Sequence, residues 1–187
     1  GEFIKHILSV NKWPGYVCGA GQNEWDEFNN VINRASIANP WFSKEMINNA
    51  LAAWAENLNK KNIDNWLNRY KSIQLTECKT VFLICAGNLP MVGLHDILCC
   101  YLLGCKVQIK LSKDDALMIP ALLNVLSFFD SETQHNFQII TQKPTGYDIV
   151  IATGNNNSNR YFEHYFGNCP HLFRKNRTSV AVIDGDI

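Results

Sequence analysis

Three short polar turns, each at the end of an apolar run, hold most of the side chains able to do chemistry. The first is Ala86-Gly87-Asn88-Leu89-Pro90-Met91-Val92-Gly93-Leu94-His95-Asp96. Gly87 permits a tight turn or a close backbone approach, and the Asn88 amide can donate to a developing oxyanion. Pro90 suits the first turn of a helix, whose N-terminus offers free N–H groups and a partial positive charge. A capped strand-to-helix turn without chemistry is the alternative. His95 and Asp96 fall inside that helix, where a single histidine is more often a structural residue than a base. The second turn is Lys110-Leu111-Ser112-Lys113-Asp114. A lysine at a strand end reaches a ribose or phosphate as a point charge, although Lys113 and Asp114 read equally as ordinary surface charges. The third, Ala152-Thr153-Gly154-Asn155-Asn156-Asn157-Ser158, runs a strand into glycine and then into polar residues opening a helix. Backbone N–H groups arranged in this way surround a diphosphate, and simple capping by Asn and Ser is the bland alternative. One such turn is a weak signal; three, each following its own strand, are a stronger one.

The elements that must position these turns are legible from periodicity. The run Thr80-Val81-Phe82-Leu83-Ile84-Cys85 is nearly continuous in apolar residues, as expected of a strand covered on both faces. A helix follows from about Val92 to Leu103, with Gly104 at its end. Lys106–Leu111 is the next strand and Ala116–Phe129 an apolar helix. Further strands are expected at Phe137–Ile140 and Asp148–Ala152, a helix at Asn157–Phe166, and a fifth strand at Ser179–Ile183. Alternating strands and helices imply α/β architecture, a mostly parallel sheet with helices on both faces, and ligands in such sheets bind at the carboxyl ends of the strands. Residues 1–77 read instead as an N-terminal helical region. Ser43 caps a helix carrying Met46, Ile47, Leu51 and Trp54. A second has Ile63, Trp66, Leu67 and Tyr70 on one side and Asn62 or Asp64 as its cap. Glu24–Ala35 is a third, through Trp25, Phe28, Val31 and Ile32. All five tryptophans lie before Leu75 and read as packing anchors, or, if exposed together, as a partner surface.

Composition removes several classes. With 187 residues, 47% of them hydrophobic, the chain is long enough for a core and is not disordered throughout. Seventeen Lys and Arg balance seventeen Asp and Glu, so no basic nucleic-acid footprint exists at the whole-chain level. No apolar run reaches the roughly 18 residues of a membrane span, and the start lacks a signal-peptide pattern. The seven cysteines form no CxxC pair and no zinc spacing with histidine, so no metal site is expected. They read as structural thiols of a reduced, cytoplasmic protein. Neither a GxxxxGK[ST] phosphate loop nor a GxSxG elbow is present. Gly19-Ala20-Gly21 lacks the third glycine and the preceding strand of a dinucleotide fingerprint.

Taken together, Cys85–Asp96, Lys110–Asp114, Ala152-Thr153-Gly154-Asn155-Asn156-Asn157-Ser158-Asn159-Arg160-Tyr161-Phe162 and Phe173-Arg174-Lys175-Asn176-Arg177-Thr178-Ser179-Val180-Ala181-Val182 resemble the corresponding segments of LuxC-type acyl-CoA reductases, in order. The resemblance is dense from about Cys78 onward. That family belongs to the aldehyde dehydrogenase superfamily, which implies a Rossmann-like cofactor domain over residues 78–187. It also implies NADPH or NADH as cofactor and acyl-CoA or another acyl thioester as substrate, and leaves a homo-oligomer open. By the same resemblance Asn88 is the oxyanion donor. Gly87, Lys110, Ser112, Thr153, Gly154 and Asn155 are the cofactor contacts, Lys110 near the adenosine ribose and Thr153-Gly154-Asn155 against the diphosphate.

Two departures from the superfamily matter. Its Glu-Leu-Gly-Gly segment, whose glutamate activates water, corresponds here to Phe173-Arg174-Lys175-Asn176, without a carboxylate. An enzyme exchanging thioesters needs a thiol and not water to attack, so this fits acyl-CoA chemistry as well as a chain doing none. The nucleophilic cysteine is expected beyond Ile187, in a catalytic domain absent from this chain. The complete mechanism implied is acyl transfer to that cysteine, oxyanion stabilisation by Asn88 and hydride delivery by the nicotinamide. A catalytically inactive nucleotide-binding or partner-binding module that kept the fold is the alternative.

Overall fold

A computed structural model describes the chain apart from residues 11, 16–18, 71–78, 177, 179 and 183–187. Its N-terminal part holds four helices: α1 (Glu2–Ser9), α2 (Gln22–Ala38), α3 (Lys44–Asn57) and α4 (Lys60–Leu67), the last running into a 3-10 turn at Asn68–Tyr70. The remainder follows as β1 (Thr80–Ile84), α5 (Leu94–Leu102), β2 (Lys106–Lys110), α6 (Met118–Phe129), α7 (Glu132–Asn136), β3 (Phe137–Ile139), β4 (Ile149–Thr153), α8 (Asn156–Phe166) and β5 (His171–Arg174). The five strands form one sheet in the order β3-β2-β1-β4-β5, parallel at every pairing. This is the order of the first five strands of a Rossmann-type sheet; the alternation of elements predicts the parallel sheet, not the order of its strands.

The period-2 pattern of the strands decides how the layers divide. Val81, Leu83, Val107 and Ile109 face one side, where they meet Ile97 and Cys100 of α5 and Met118, Ile119 and Leu122 of α6. Helices α1 to α3 share that core through Phe3, Ile7, Trp25, Phe28, Ile47 and Leu51. Phe82, Val150 and Ala152 face the other side, under Phe162 and Phe166 of α8. The link from β3 to β4 recrosses this second face without a helix. The Gln108 side chain pins it, donating to the Thr145 carbonyl at 2.6 Å and accepting from the Thr145 N–H at 3.2 Å.

Several expectations need correction. The fifth strand is His171–Arg174 and not Ser179–Ile183. Val180, Ala181 and Val182 form no strand, and Val180 and Val182 are 87% and 91% exposed; Ser179 and Ile183 lie outside the described residues. Ser43 does cap α3, accepting from the Met46 N–H at 3.1 Å, and Gly104 follows α5 with φ 66°. The cap of α4, however, is Asn59, which accepts from the Asn62 N–H at 2.9 Å; neither Asn62 nor Asp64 fills that role. No residue of α4 is buried; its Ile63 borders a hollow of about 580 Å³ shared with Phe3, Ile4, Ile97 and Leu126, and its Trp66 lies against the His95 ring with centroids 5.7 Å apart. The tryptophans divide: Trp25 anchors the core at 4% exposure, whereas Trp41 is 86% exposed. Among the described residues no helix is long and apolar enough to cross a membrane, and no cluster of side chains could hold a metal. Cys85, Cys99, Cys100 and Cys169 are free thiols; Cys18 and Cys78 lie outside the described residues.

Candidate functional site at the sheet switch point

Strand β1 is joined through α5 to β2 on one side and lies beside β4 on the other, so chain direction across the sheet reverses between β1 and β4. Loops leaving neighbouring strands at such a point diverge and open a crevice at the carboxyl edge. The register brings the predicted turns to this edge. Ile84 pairs with both Lys110 and Ala152, so the turns after β1, β2 and β4 leave three adjacent strands at one level. Two strand spacings, about 10 Å, separate the outer pair, well within the reach of one extended ligand.

Side-chain direction then separates the residues. Lys110 lies on the α8 face with Gln108; it is exposed and its Nζ donates to the Thr141 carbonyl at 3.2 Å. Thr153 faces the α5 side, in register with Arg174 of β5. The Asn88 side chain is exposed, and no described residue hydrogen-bonds it, so its amide is free to donate. Ser112 caps a 3-10 turn at Lys113–Asp115, its hydroxyl accepting from the Asp114 N–H at 3.2 Å. A Cβ on Gly87 would lie 2.3 Å from Ser112 Oγ, so the missing side chain lets the first two turns pack together. At Gly154 a Cβ would lie 2.9 Å from the Ser158 Cβ and 3.1 Å from the Phe162 ring. The Gly154 N–H donates to the Arg174 carbonyl at 3.1 Å, extending the sheet by one bond. Asn155 caps α8, accepting from the Ser158 N–H at 2.7 Å and from the Ser158 hydroxyl at 3.0 Å. The third turn is therefore held by the capping that its Asn and Ser foretold, and it opens α8 toward the crevice.

Two features that periodicity does not reveal hold the first turn in place. Met91 adopts φ 60°, the one positive φ outside glycine among the described residues. Its N–H donates to Asp115 Oδ2 at 2.6 Å, and Asp115 is only 5% exposed. A buried carboxylate from the turn after β2 thus clamps the turn that carries Asn88. Burial pushes the Asp115 carboxyl up to about 6, against the Met91 N–H, which favours the charged form. Oδ1 has no partner, so the native state accepts a proton there more readily than the unfolded chain. The stability attached to that proton is complete below the ordinary carboxylate value of 3.8 and is lost as pH rises to about 6. Asp115→Asn removes the titration. Its stability relative to the unsubstituted chain is expected to climb by roughly 3 kcal/mol between about pH 4 and pH 7, measured by urea denaturation across that range. Parallel profiles for the two proteins would show that Asp115 titrates as an ordinary carboxylate.

The second feature is an ion pair joining residues 78 positions apart. Arg174 Nη1 and Nη2 donate to Asp96 Oδ2 and Oδ1 at 2.7 and 2.8 Å. Asp96 sits in the first turn of α5 and is 6% exposed. The pair ties the end of β5 to the helix that follows the Asn88 turn. Sequence reasoning marked Arg174 only as the place where a carboxylate is missing, and Asp96 only as a helix residue.

None of the cysteines near this edge is a ready nucleophile. Burial raises Cys85 and Cys100 to about 12, with smaller contributions from neighbouring acidic groups, Asp96 among them in both cases. Cys99 is raised as well, first by burial and then by Asp96. Its sulfur lies 3.8 Å from His95 Nδ1, but a thiol needs an electropositive niche to become thiolate, and this half-buried one is raised by burial and by Asp96 more than Arg174 lowers it. No family model matches the chain, and no curated protein sequence matches it.

Proposed function

We propose that this chain is the cofactor-binding part of an acyl-CoA reductase related to the aldehyde dehydrogenases, which reduces acyl thioesters to aldehydes with NADPH or NADH. The observation that carries the reading is the convergence of three polar turns on one carboxyl edge, two of them flanking the β1/β4 switch point. Lys110 and Ser112 at the end of β2 would take the adenosine ribose. The turn of Thr153, Gly154 and Asn155, with the start of α8, would lie against the diphosphate. Gly87 lets the turn carrying Asn88 pack against that of Ser112, and the free Asn88 amide would donate to the oxyanion of a bound thioester. The bound nicotinamide supplies the hydride; these residues orient it and its substrate. Burial holds Cys85, Cys99 and Cys100 as thiols, so none of these three is assigned the role of nucleophile.

The test is a titration of the chain with NADPH and with NADH, followed by tryptophan fluorescence and calorimetry. Saturable binding of at least one is expected, with Asn88→Ala binding it to within about twofold of the unsubstituted chain, because Asn88 serves the substrate and not the cofactor. No binding of either at millimolar concentration would overturn the assignment.

A further inference from the structure

We propose that Arg174 is the anion-binding side chain of the switch-point crevice, oriented by Asp96 so that its outward N–H groups take the diphosphate of the bound dinucleotide. The identity of the ligand rests on the function proposed above; the anion site itself rests on geometry. Residues paired across neighbouring parallel strands project to the same face, so Arg174 points with Thr153 toward α5. From the end of β5 its side chain crosses to the first turn of α5. It therefore spans the interval between the turn after β4 and the turn after β1. Two of its five N–H donors are used on Asp96, which leaves three. The side chain is 28% exposed against 9% for that of Asp96, so the carboxylate is enclosed while the arginine side chain reaches solvent. Lys175, the next cation along the chain, is already paired with Glu163 at 3.0 Å.

Stability alone is a poor reason for this arrangement. A well-packed apolar pair in place of a buried ion pair is often as stable or more so. What the ion pair supplies that an apolar contact does not is a planar guanidinium of fixed orientation with donors facing outward, the geometry that matches phosphate oxygens. The Arg174–Asp96 pair is neutral as a unit. Recognition therefore falls on directed hydrogen bonds, helped by the partial positive charge at the start of α5, and not on excess charge.

The experiment uses the whole chain with inorganic pyrophosphate and NADPH as separate ligands, and reads affinity by fluorescence titration beside melting temperature. Arg174→Lys keeps the charge and a bond to Asp96 but loses the fork; it is expected to weaken both ligands by about tenfold or more. Asp96→Asn leaves the guanidinium in place and is expected to weaken them only a few-fold, although it too lowers the melting temperature. If both variants melt earlier while both affinities stay at the unsubstituted level, Arg174 is a structural tie and the proposal is overturned. Unchanged NADPH binding in Arg174→Lys overturns it too while leaving the cofactor assignment intact. Pyrophosphate binding that depends on Arg174 in a chain that does not bind NADPH keeps the anion site and removes the dinucleotide. Should the lysine variant not fold, modification of Arg174 by an arginine-specific dicarbonyl decides the matter in the unsubstituted chain. Pyrophosphate is expected to slow it, and absence of protection counts against the site.

Discussion

Arg174→Met is expected to destabilise the chain by about 3–5 kcal/mol, the cost of leaving a buried charge without its partner. The stranded group is Asp96, 6% exposed and bonded in two places to the lost guanidinium. The reverse substitution, Asp96→Ala, is expected to cost distinctly less. Arg174 keeps 28% of its side chain in solvent, so its freed guanidinium can be hydrated. Urea denaturation of both variants at matched slope reads the asymmetry directly. At this chain length each kcal/mol corresponds to about 2–4 °C of melting temperature, so thermal unfolding resolves it as well. Equal losses, or none for Arg174→Met, would show that the two side chains are not paired in solution.

Ile97→Ala is the second large effect expected, a loss of about 2–5 kcal/mol. Ile97 is fully enclosed on α5, in the core shared by the sheet and the N-terminal helices. The same helix carries Asp96 in its first turn, so a cavity under Ile97 loosens the anchor of Arg174 together with the core. The variant is therefore expected to bind NADPH more weakly as well as to unfold earlier. Leu102→Ala and Leu103→Ala at the exposed end of α5, at 42% and 47% exposure, should stay within about 0.5 kcal/mol of the starting protein. A loss under about 1 kcal/mol at Ile97 would mean that the core closes over the missing atoms, and affinity for the cofactor should then be unchanged.

How far the sequence reaches is clearest at the two ends of the α/β region. The strand at Thr80–Ile84 is evident from its apolar run because both of its faces are covered, and such a strand needs no alternation to be recognised. The strand at His171–Arg174 escapes detection because it sits at the sheet edge. His171 and Leu172 stay exposed, and only Phe173 and Arg174 are partly covered. Its sequence therefore carries neither an apolar run nor an alternation. Val180-Ala181-Val182 has the composition of a strand, but among the described residues it has no neighbour to pair with, and composition does not create one. The stripe of Ile63, Trp66 and Leu67 on α4 says that a face is apolar, not how deeply it is covered: none of the three is buried.

Local spacing along the chain was enough to determine the α/β class, the order of the elements from β1 to α8 except the short helix α7 (Glu132–Asn136), the caps at Ser43 and Gly104, and the three turns at strand ends. Each of these depends on residues within one or two turns of each other, where the periods of helix and strand apply. Tertiary structure alone decided which turns share an edge, that Lys110 and Thr153 face opposite sides of the sheet, that Asp115 clamps Met91, and that Arg174 meets Asp96. These contacts join residues 24 and 78 positions apart. Strand order and chain crossing bring them together, and neither leaves a period in the sequence.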